Sequence, residues 1–302
     1  MNLFAFITWD VSPIIVDLKF IQLRWYGFLF ASGFVIGQYI MSWIFKMEKR
    51  PQKELDGLLI YMLVSTVIGA RLGHCLFYEP AYYLSHPIDI LKVWEGGLAS
   101  HGATVTILFG VWLFAYRRNE VAVFFHKVTV IINNFISNKK PDEPIKSTEK
   151  FTWFYLLDRL VIVAAPSAGL IRLGNLMNSE IVGLPTNQPW GFVFMRNLTA
   201  QGLPEDFARH PSQLYESIFY FALFAFLLVM YLFMKEKTPH GRLLGWFLFL
   251  VFLQRILIEF TKENQVAFEN TLPLNMGQIL SIPLVLIGLF VLIRSYIKPI
   301  NI

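Results

Sequence analysis

One cysteine, Cys75, stands in 302 residues, so no disulfide closes within the chain. Set in "GHCLFY", it reads as a packing residue. Cys and His do not cluster, and His74, His86, His126 and His240 lie near loops without ligand-like spacing, so no metal site is expected. Charge is scarce as well. Asp, Glu, Lys and Arg make up 16% of the residues against 55% hydrophobic and 16% aromatic, which excludes the ordinary soluble globular balance. No internal repeat is visible. The opening "MNLFAFITWDVSPIIVDLKF" lacks a basic leader and a small-residue cleavage site, and Asp10 and Asp17 interrupt it; it is expected to be an interfacial entry segment and not a secretory signal.

What the chain has instead is long apolar runs. A bilayer core of about 30 Å takes about 20 apolar residues per helix. Seven runs qualify: 26–45, 55–74, 98–116, 152–171, 217–234, 243–260 and 272–293. The expected fold is all-α, a single transmembrane domain over 1–302 with seven transmembrane helices. Lys and Arg crowd the connections after the first, third and fifth runs: Lys46, Lys49, Arg50 and Lys53; Arg117, Arg118, Lys127, Lys139, Lys140, Lys146 and Lys150; Lys235, Lys237 and Arg242. Such loops face the cytoplasm. The other connections carry mainly Lys92, Arg196, Arg209 and Lys262, which puts the N-terminus outside and the C-terminus, with Arg294 and Lys298, in the cytoplasm. The net charge of +5 then serves anionic inner-leaflet lipid, and nothing supports nucleic-acid binding. Residues 119–151 read as a cytoplasmic insert, its amphipathic front on the membrane surface and its Pro/Lys back a linker. Residues 184–209, with Trp190, Phe192 and Phe194, form an extracytoplasmic loop, either a lid or an interfacial anchor.

Against this apolar background the ionisable residues stand out. A charge at the bilayer centre costs about 2.5–3.5 kcal/mol on insertion scales, so one retained inside a helix points to function. "LIRLGNLMNSEIVG" ends the fourth run with Arg172, Asn175, Asn178 and Glu180, and a spacing of three puts Arg172, Asn175 and Asn178 on one face if the helix continues. Gly174 and Gly183 permit close approach of backbone or ligand, or a break. "LQRILIEFTKENQ" sets Arg255 and Glu259 four apart; the plain alternative is a self-satisfied ion pair. In "WEGGLASHGA", His101 has Gly96, Gly97 and Gly102 around it, leaving backbone room for a ligand. "RHPSQLYES" offers Ser212 as a helix N-cap and Gln213, Tyr215 and Glu216 for hydrogen bonds.

By the expected topology all four stretches lie at the outer face, where they can share one site. The Arg side chain is a planar fork of donors that matches phosphate oxygens and keeps its charge in low dielectric. His acts as a base near neutral pH, and nearby cations stabilise a departing phosphate. These residues point to an enzyme acting on phospholipid. Two alternatives stand beside it: a membrane carrier or binding protein for an anionic lipid or solute, and a structural subunit whose Arg172 and Arg255 pair only with Glu180 and Glu259.

"RWYG", "GARLGHCLFYEPAYYLSHPIDILKVWEGGLASHGA", "IRLGNLMNSEIVG", "RHPSQLYE", "FLQRILIEF" and "MGQILSIP" resemble, in this order and over nearly all seven runs, the prolipoprotein diacylglyceryl transferase family. The resemblance implies a bacterial inner-membrane enzyme without a cofactor. Its partners would be membrane lipid, namely phosphatidylglycerol, and prolipoprotein signal peptides with a lipobox Cys. It would move the diacylglyceryl group of phosphatidylglycerol onto that Cys, forming a thioether and releasing glycerol phosphate. By the same resemblance Arg172 and Arg255 match the family's essential arginines, and His101, Tyr26, Asn175, Glu180, Gly183 and Glu259 match functional positions. Asn178 joins the substrate-binding set, and Asp158 stands fourteen residues before Arg172, as a family Asp does. The chain departs from the family pattern at Ile171, Ser179 and Ala103, where the family favours Gly, at Leu176, where it has Phe, and at Val251, where it has Tyr. Every ionisable group is kept.

Overall fold

The structure, a computed structural model, describes residues 6–19, 22–93, 96–97, 99–136, 146–198, 202, 204–262 and 272–297. Lys139, Lys140 and Lys298, and parts of the entry segment, of 119–151 and of 184–209, lie outside the described residues. Each of the seven apolar runs falls on a helix: α1 (Trp25–Met47), α2 (Gln52–Phe77), α4 (Ser100–Ile136), α5 (Trp153–Met177), α6 (Ser212–Met234), α7 (Arg242–Glu259) and α8 (Met276–Ile297), with a short α3 (Pro80–Ser85) after α2. Five of them, α1, α2, α5, α6 and α8, are long and apolar enough to cross a membrane. The protein is therefore a mostly helical, multi-pass membrane protein.

Two expectations need correction. The chain is not purely helical: β1 (Ile7–Trp9) pairs in parallel with β4 (Phe192–Phe194), and β2 (Ile14–Asp17) pairs antiparallel with β3 (Gln22–Arg24). The entry segment and the 184–209 loop thus satisfy part of their backbone through each other, and Phe192 and Phe194 bury against Leu176 and Trp9. Nor does the third helix end near residue 116. α4 runs unbroken for 37 residues, about 56 Å at 1.5 Å per residue, because neither Gly nor Pro interrupts it after Gly110. The front of 119–151 is a continuation of that helix and not a separate amphipathic segment.

The chain forms two compact units, residues 1–43 with 158–302 and residues 44–157. In the second, α2 and α4 cross closely through small residues. A Cβ on Gly102 would fall 2.2 Å from the Gly69 carbonyl and 2.7 Å from Gly73 Cα. This is small-xxx-small packing, which lets helix backbones approach where lipid removes any hydrophobic drive to associate. Arg71, buried in the same unit, donates to the carbonyls of Asp89, Ile90 and Gly96 at 2.6, 3.0 and 2.6 Å and so holds these three residues. Cys75 is fully buried, as a packing residue should be.

In the first unit α7 packs on α8 and α6, with Gly245 and Gly288 at the α7–α8 crossing. Ser167 of α5 donates to the Gly33 carbonyl of α1 at 3.3 Å, and Ser217 of α6 to the Gly169 carbonyl of α5 at 3.0 Å. These polar contacts tie α1, α5 and α6 together. The end of α5, the start of α6, the end of α7 and the start of α8 meet at one end of this unit, where the polar residues collect.

Candidate active site

α5 stops at Met177 because the chain turns sharply. Ser179 and Ile181 hold left-handed φ values of 56° and 57°, and the Glu180 N–H bonds back to the Asn175 carbonyl at 2.9 Å. The helix therefore stops one residue short of Asn178, so the condition under which Arg172, Asn175 and Asn178 would share one helix face is not met, and neither Gly174 nor Gly183 makes the break. The turn brings the Glu180 carboxylate back against the helix end, where it accepts from Asn175 Nδ2 at 3.2 Å and Asn178 Nδ2 at 3.1 Å. Gln213 Nε2 donates to the Glu180 backbone carbonyl. Gly174 leaves room for Tyr26 and not for a ligand: a Cβ there would fall 2.9 Å from Tyr26 Cδ2. Tyr26 consequently lies on the helix turn that carries Arg172 and Asn175.

Arg172 itself turns to Asn175 Oδ1, at a long 3.4 Å, and to Glu216. Its Nε lies 3.2 Å from Glu216 Oε2, a charge contact without hydrogen-bond geometry, since that oxygen accepts no directed bond. The other oxygen of Glu216 accepts from Lys262 Nζ at 3.0 Å. Lys262 also approaches Glu259 Oε1 at 3.5 Å, and that same oxygen lies 3.9 Å from Arg255 Nε. The result is a chain of alternating charge, Arg172, Glu216, Lys262, Glu259 and Arg255, with an arginine at each end. Its middle is dry, with Glu216 and Lys262 side chains 2% and 5% exposed, while the Arg255 side chain is 47% exposed.

The self-satisfied Arg255–Glu259 pair therefore does not describe the site. At 3.9 Å the contact is at the limit of an ion pair, and Glu259 is held instead by Lys262 and by Asn275 Nδ2 at 3.2 Å. Asn275 and Gln278 form a reciprocal cap on α8, Gln278 N–H to Asn275 Oδ1 at 2.9 Å and Asn275 N–H to Gln278 Oε1 at 3.1 Å, which fixes Asn275 beside Glu259. Gly277 leaves room for that carboxylate, since a Cβ there would sit 2.9 Å from Glu259 Oε1.

Gly183 bridges the cluster through its backbone. It pairs with Lys262 across an isolated antiparallel bridge, and its N–H donates to the His210 carbonyl at 2.9 Å. Ser212 does not cap α6, whose N-cap position is Pro211; its hydroxyl faces Thr261 instead, with Oγ···Oγ1 at 3.3 Å. Asp158 is also placed away from this cluster, buried in α5 where its carboxylate caps the start of α7.

His101 belongs to the other unit. It is exposed in the first turn of α4 and stacks on Tyr78 at 5.7 Å, with Phe77 edge-on at 6.0 Å. Among the glycines near it, Gly102 serves the α2–α4 crossing rather than a ligand.

Three of the four sequence clusters are thus joined in one site. In the sequence neither Glu216 nor Lys262 stands out for it: Glu216 is one of several hydrogen-bonding residues in "RHPSQLYES", and Lys262 reads as a loop lysine. The signal available for Lys262 was its place three residues after Glu259, which keeps both on one side of a helix end.

Apolar membrane-crossing helices that hold a dry chain of charges ending in two arginines define a multi-pass membrane protein with a candidate site for an anionic lipid. The family model described as "Prolipoprotein diacylglyceryl transferase" matches residues 13–136 and 144–294. The chain is 43% identical over 295 residues to a phosphatidylglycerol–prolipoprotein diacylglyceryl transferase of Chloroherpeton thalassium, covering 98% of this chain and 96% of that protein. It is 44% identical to the protein of the same name from Tolumonas auensis, over 95% and 96% of the two chains. With that of Porphyromonas gingivalis it shares 40% identity over 100% and 99%. The chain belongs to the prolipoprotein diacylglyceryl transferase family.

Proposed function

We propose that the protein transfers the diacylglyceryl group of phosphatidylglycerol to the lipobox Cys thiol of prolipoproteins. The thiol gives up its proton and its sulfur attacks the glyceryl carbon next to the phosphate. The C–S thioether forms as the C–O bond to phosphate breaks, and glycerol phosphate departs with the bonding electrons. Because carbon and not phosphorus is attacked, the protein's task is to position two substrates and stabilise a departing phosphate. The observation that carries this reading is the chain of charges ending in Arg172 and Arg255 in a member of this family.

In this mechanism Arg172 and Arg255 clamp the phosphate; the role of His101, assisting deprotonation of the thiol, rests on the family resemblance alone. Tyr26 and Asn175 orient the glyceryl portion, with Asn178 and Glu180 fixing Asn175, Gly183 the adjoining backbone and Glu259 the Arg255 side. The protein sits in the bacterial inner membrane with all seven long helices spanning it, N-terminus outside and C-terminus cytoplasmic. Residues 119–151 are then cytoplasmic and 184–209 extracytoplasmic, a reading supported by the Lys and Arg bias of the connections. Purified protein mixed with phosphatidylglycerol and a lipobox signal peptide should add one diacylglyceryl mass to the peptide. No addition is expected with Arg255→Ala protein or with a Cys→Ser peptide, and no mass gain with the native pair would reject the reading.

A further inference from the structure

No step of the proposed reaction uses a lysine, yet Lys262 occupies the middle of the charge chain. Its side chain is 5% exposed, and its ammonium touches Glu216 at 3.0 Å and Glu259 at 3.5 Å, each of which also faces one of the two arginines. Its backbone is pinned by the bridge to Gly183, and the preceding Thr261 carbonyl accepts from the Leu184 N–H at 2.8 Å. Burying a lysine is costly and is repaid only by well-placed carboxylates. A carboxylate shared between two cations is held less tightly by either. From this arrangement we infer that the Glu216–Lys262 pair is a positioning device for Arg172 and Arg255. By drawing the carboxylates toward itself, Lys262 leaves guanidinium charge free for the phosphodiester anion of a lipid headgroup.

The sign of the effect differs for the two partners. Without the ammonium, Glu216 and Glu259 each turn to their arginine and compete with the lipid phosphate. Without the Glu216 charge, Arg172 loses its carboxylate, and Lys262 moves wholly to Glu259 and releases Arg255. Anion binding then tightens, but the arginines lose their fixed spacing and turnover falls. The inference takes the identity of the anion from the transferase reading, so its test needs a readout besides transfer.

Full-length native protein, Lys262→Met, Lys262→Arg and Glu216→Gln would be placed in nanodiscs and their binding of phosphatidylglycerol compared with uncharged diacylglycerol by native mass spectrometry. KM and kcat for transfer would be measured alongside. Lys262→Met should weaken phosphatidylglycerol binding and raise KM about tenfold, and Lys262→Arg should restore most of it. Glu216→Gln should bind phosphatidylglycerol at least as tightly as the native protein while kcat falls about tenfold. If both substitutions weaken binding alike, or Lys262→Met leaves it unchanged, the inference is overturned. Should Lys262→Met fail to fold, Lys262→Gln takes its place in the comparison. Native protein that binds phosphatidylglycerol but transfers nothing would sink the transferase reading, while the binding comparison still decides the role of the pair.

Discussion

Asp158, fully buried near the start of α5, accepts the backbone N–H groups of Gly241 at 2.7 Å and Leu244 at 2.9 Å, so a side chain of α5 caps the first turn of α7. Backbone donors at a helix start have no partner within the helix, and a carboxylate there also meets the positive end of the helix dipole. Asp158→Ala leaves those donors unsatisfied in a dry place. It should lower stability by about 2 kcal/mol or more, read as a fall in melting temperature in detergent, with Asp158→Asn losing less. Transfer per folded molecule should change far less than with Arg255→Ala, because Asp158 touches none of the chain of charges.

Ser179 departs from the family's glycine at a place where the backbone is left-handed, φ 56°, and its buried hydroxyl oxygen has no hydrogen-bond partner. Both facts cost stability in a residue with a Cβ. Ser179→Gly should raise stability by about 0.5–1 kcal/mol after the loss from greater unfolded-state freedom. Equilibrium unfolding in mixed micelles measures this directly, and a loss of stability would mean the Ser hydroxyl contributes in a way the geometry does not show.

Gly183 has no space for a side chain: an added Cβ would come 2.5 Å from Ser212 Oγ and 2.6 Å from the His210 carbonyl oxygen. Gly183→Ala must displace the backbone that pairs with Lys262 and hence disturb the charge chain. Transfer activity should fall at least about tenfold, with a smaller effect on melting temperature. Full activity in the alanine variant would show that the bridge does not position the site.

Arg255 tests charge against geometry. Lysine keeps the charge but lacks the planar fork that meets two phosphate oxygens at once. The mass-spectrometric transfer assay should show Arg255→Ala losing about a hundredfold or more in kcat/KM and Arg255→Lys recovering only a minor part. Equal activity of lysine and arginine would reduce the residue to a point charge.

His240, in the turn before α7, has its pKa held below the ordinary imidazole value of 6.5 by burial and by the nearby Arg159. The folded protein therefore favours the neutral ring. The sign follows: this contribution is present above the unfolded value and is lost as pH falls through it toward the lower folded one. Melting temperature should drop between about pH 7.5 and about pH 5.5, and His240→Gln should flatten that slope.

Much of this protein is written locally. Runs of some twenty apolar residues announce their helices because consecutive side chains must all face lipid or core, and all seven predicted runs lie on helices. Arg172, Arg255 and Glu259 stand out for the same local reason, as charges inside apolar segments. Tertiary structure decided what those charges do. Glu216 is 46 residues from Lys262, and Asp158 is 83 from Gly241, so neither partnership leaves a periodic trace along the chain. In sequence Lys262 reads as one more loop lysine, and only the packing of the start of α6 beside the end of α7 makes it the centre of a buried charge chain. The strand β4 came from the same cause, since three residues pair only when β1 is brought alongside. Hydrophobic periodicity is a property of neighbours in sequence; pairing of charges and strands belongs to neighbours in space.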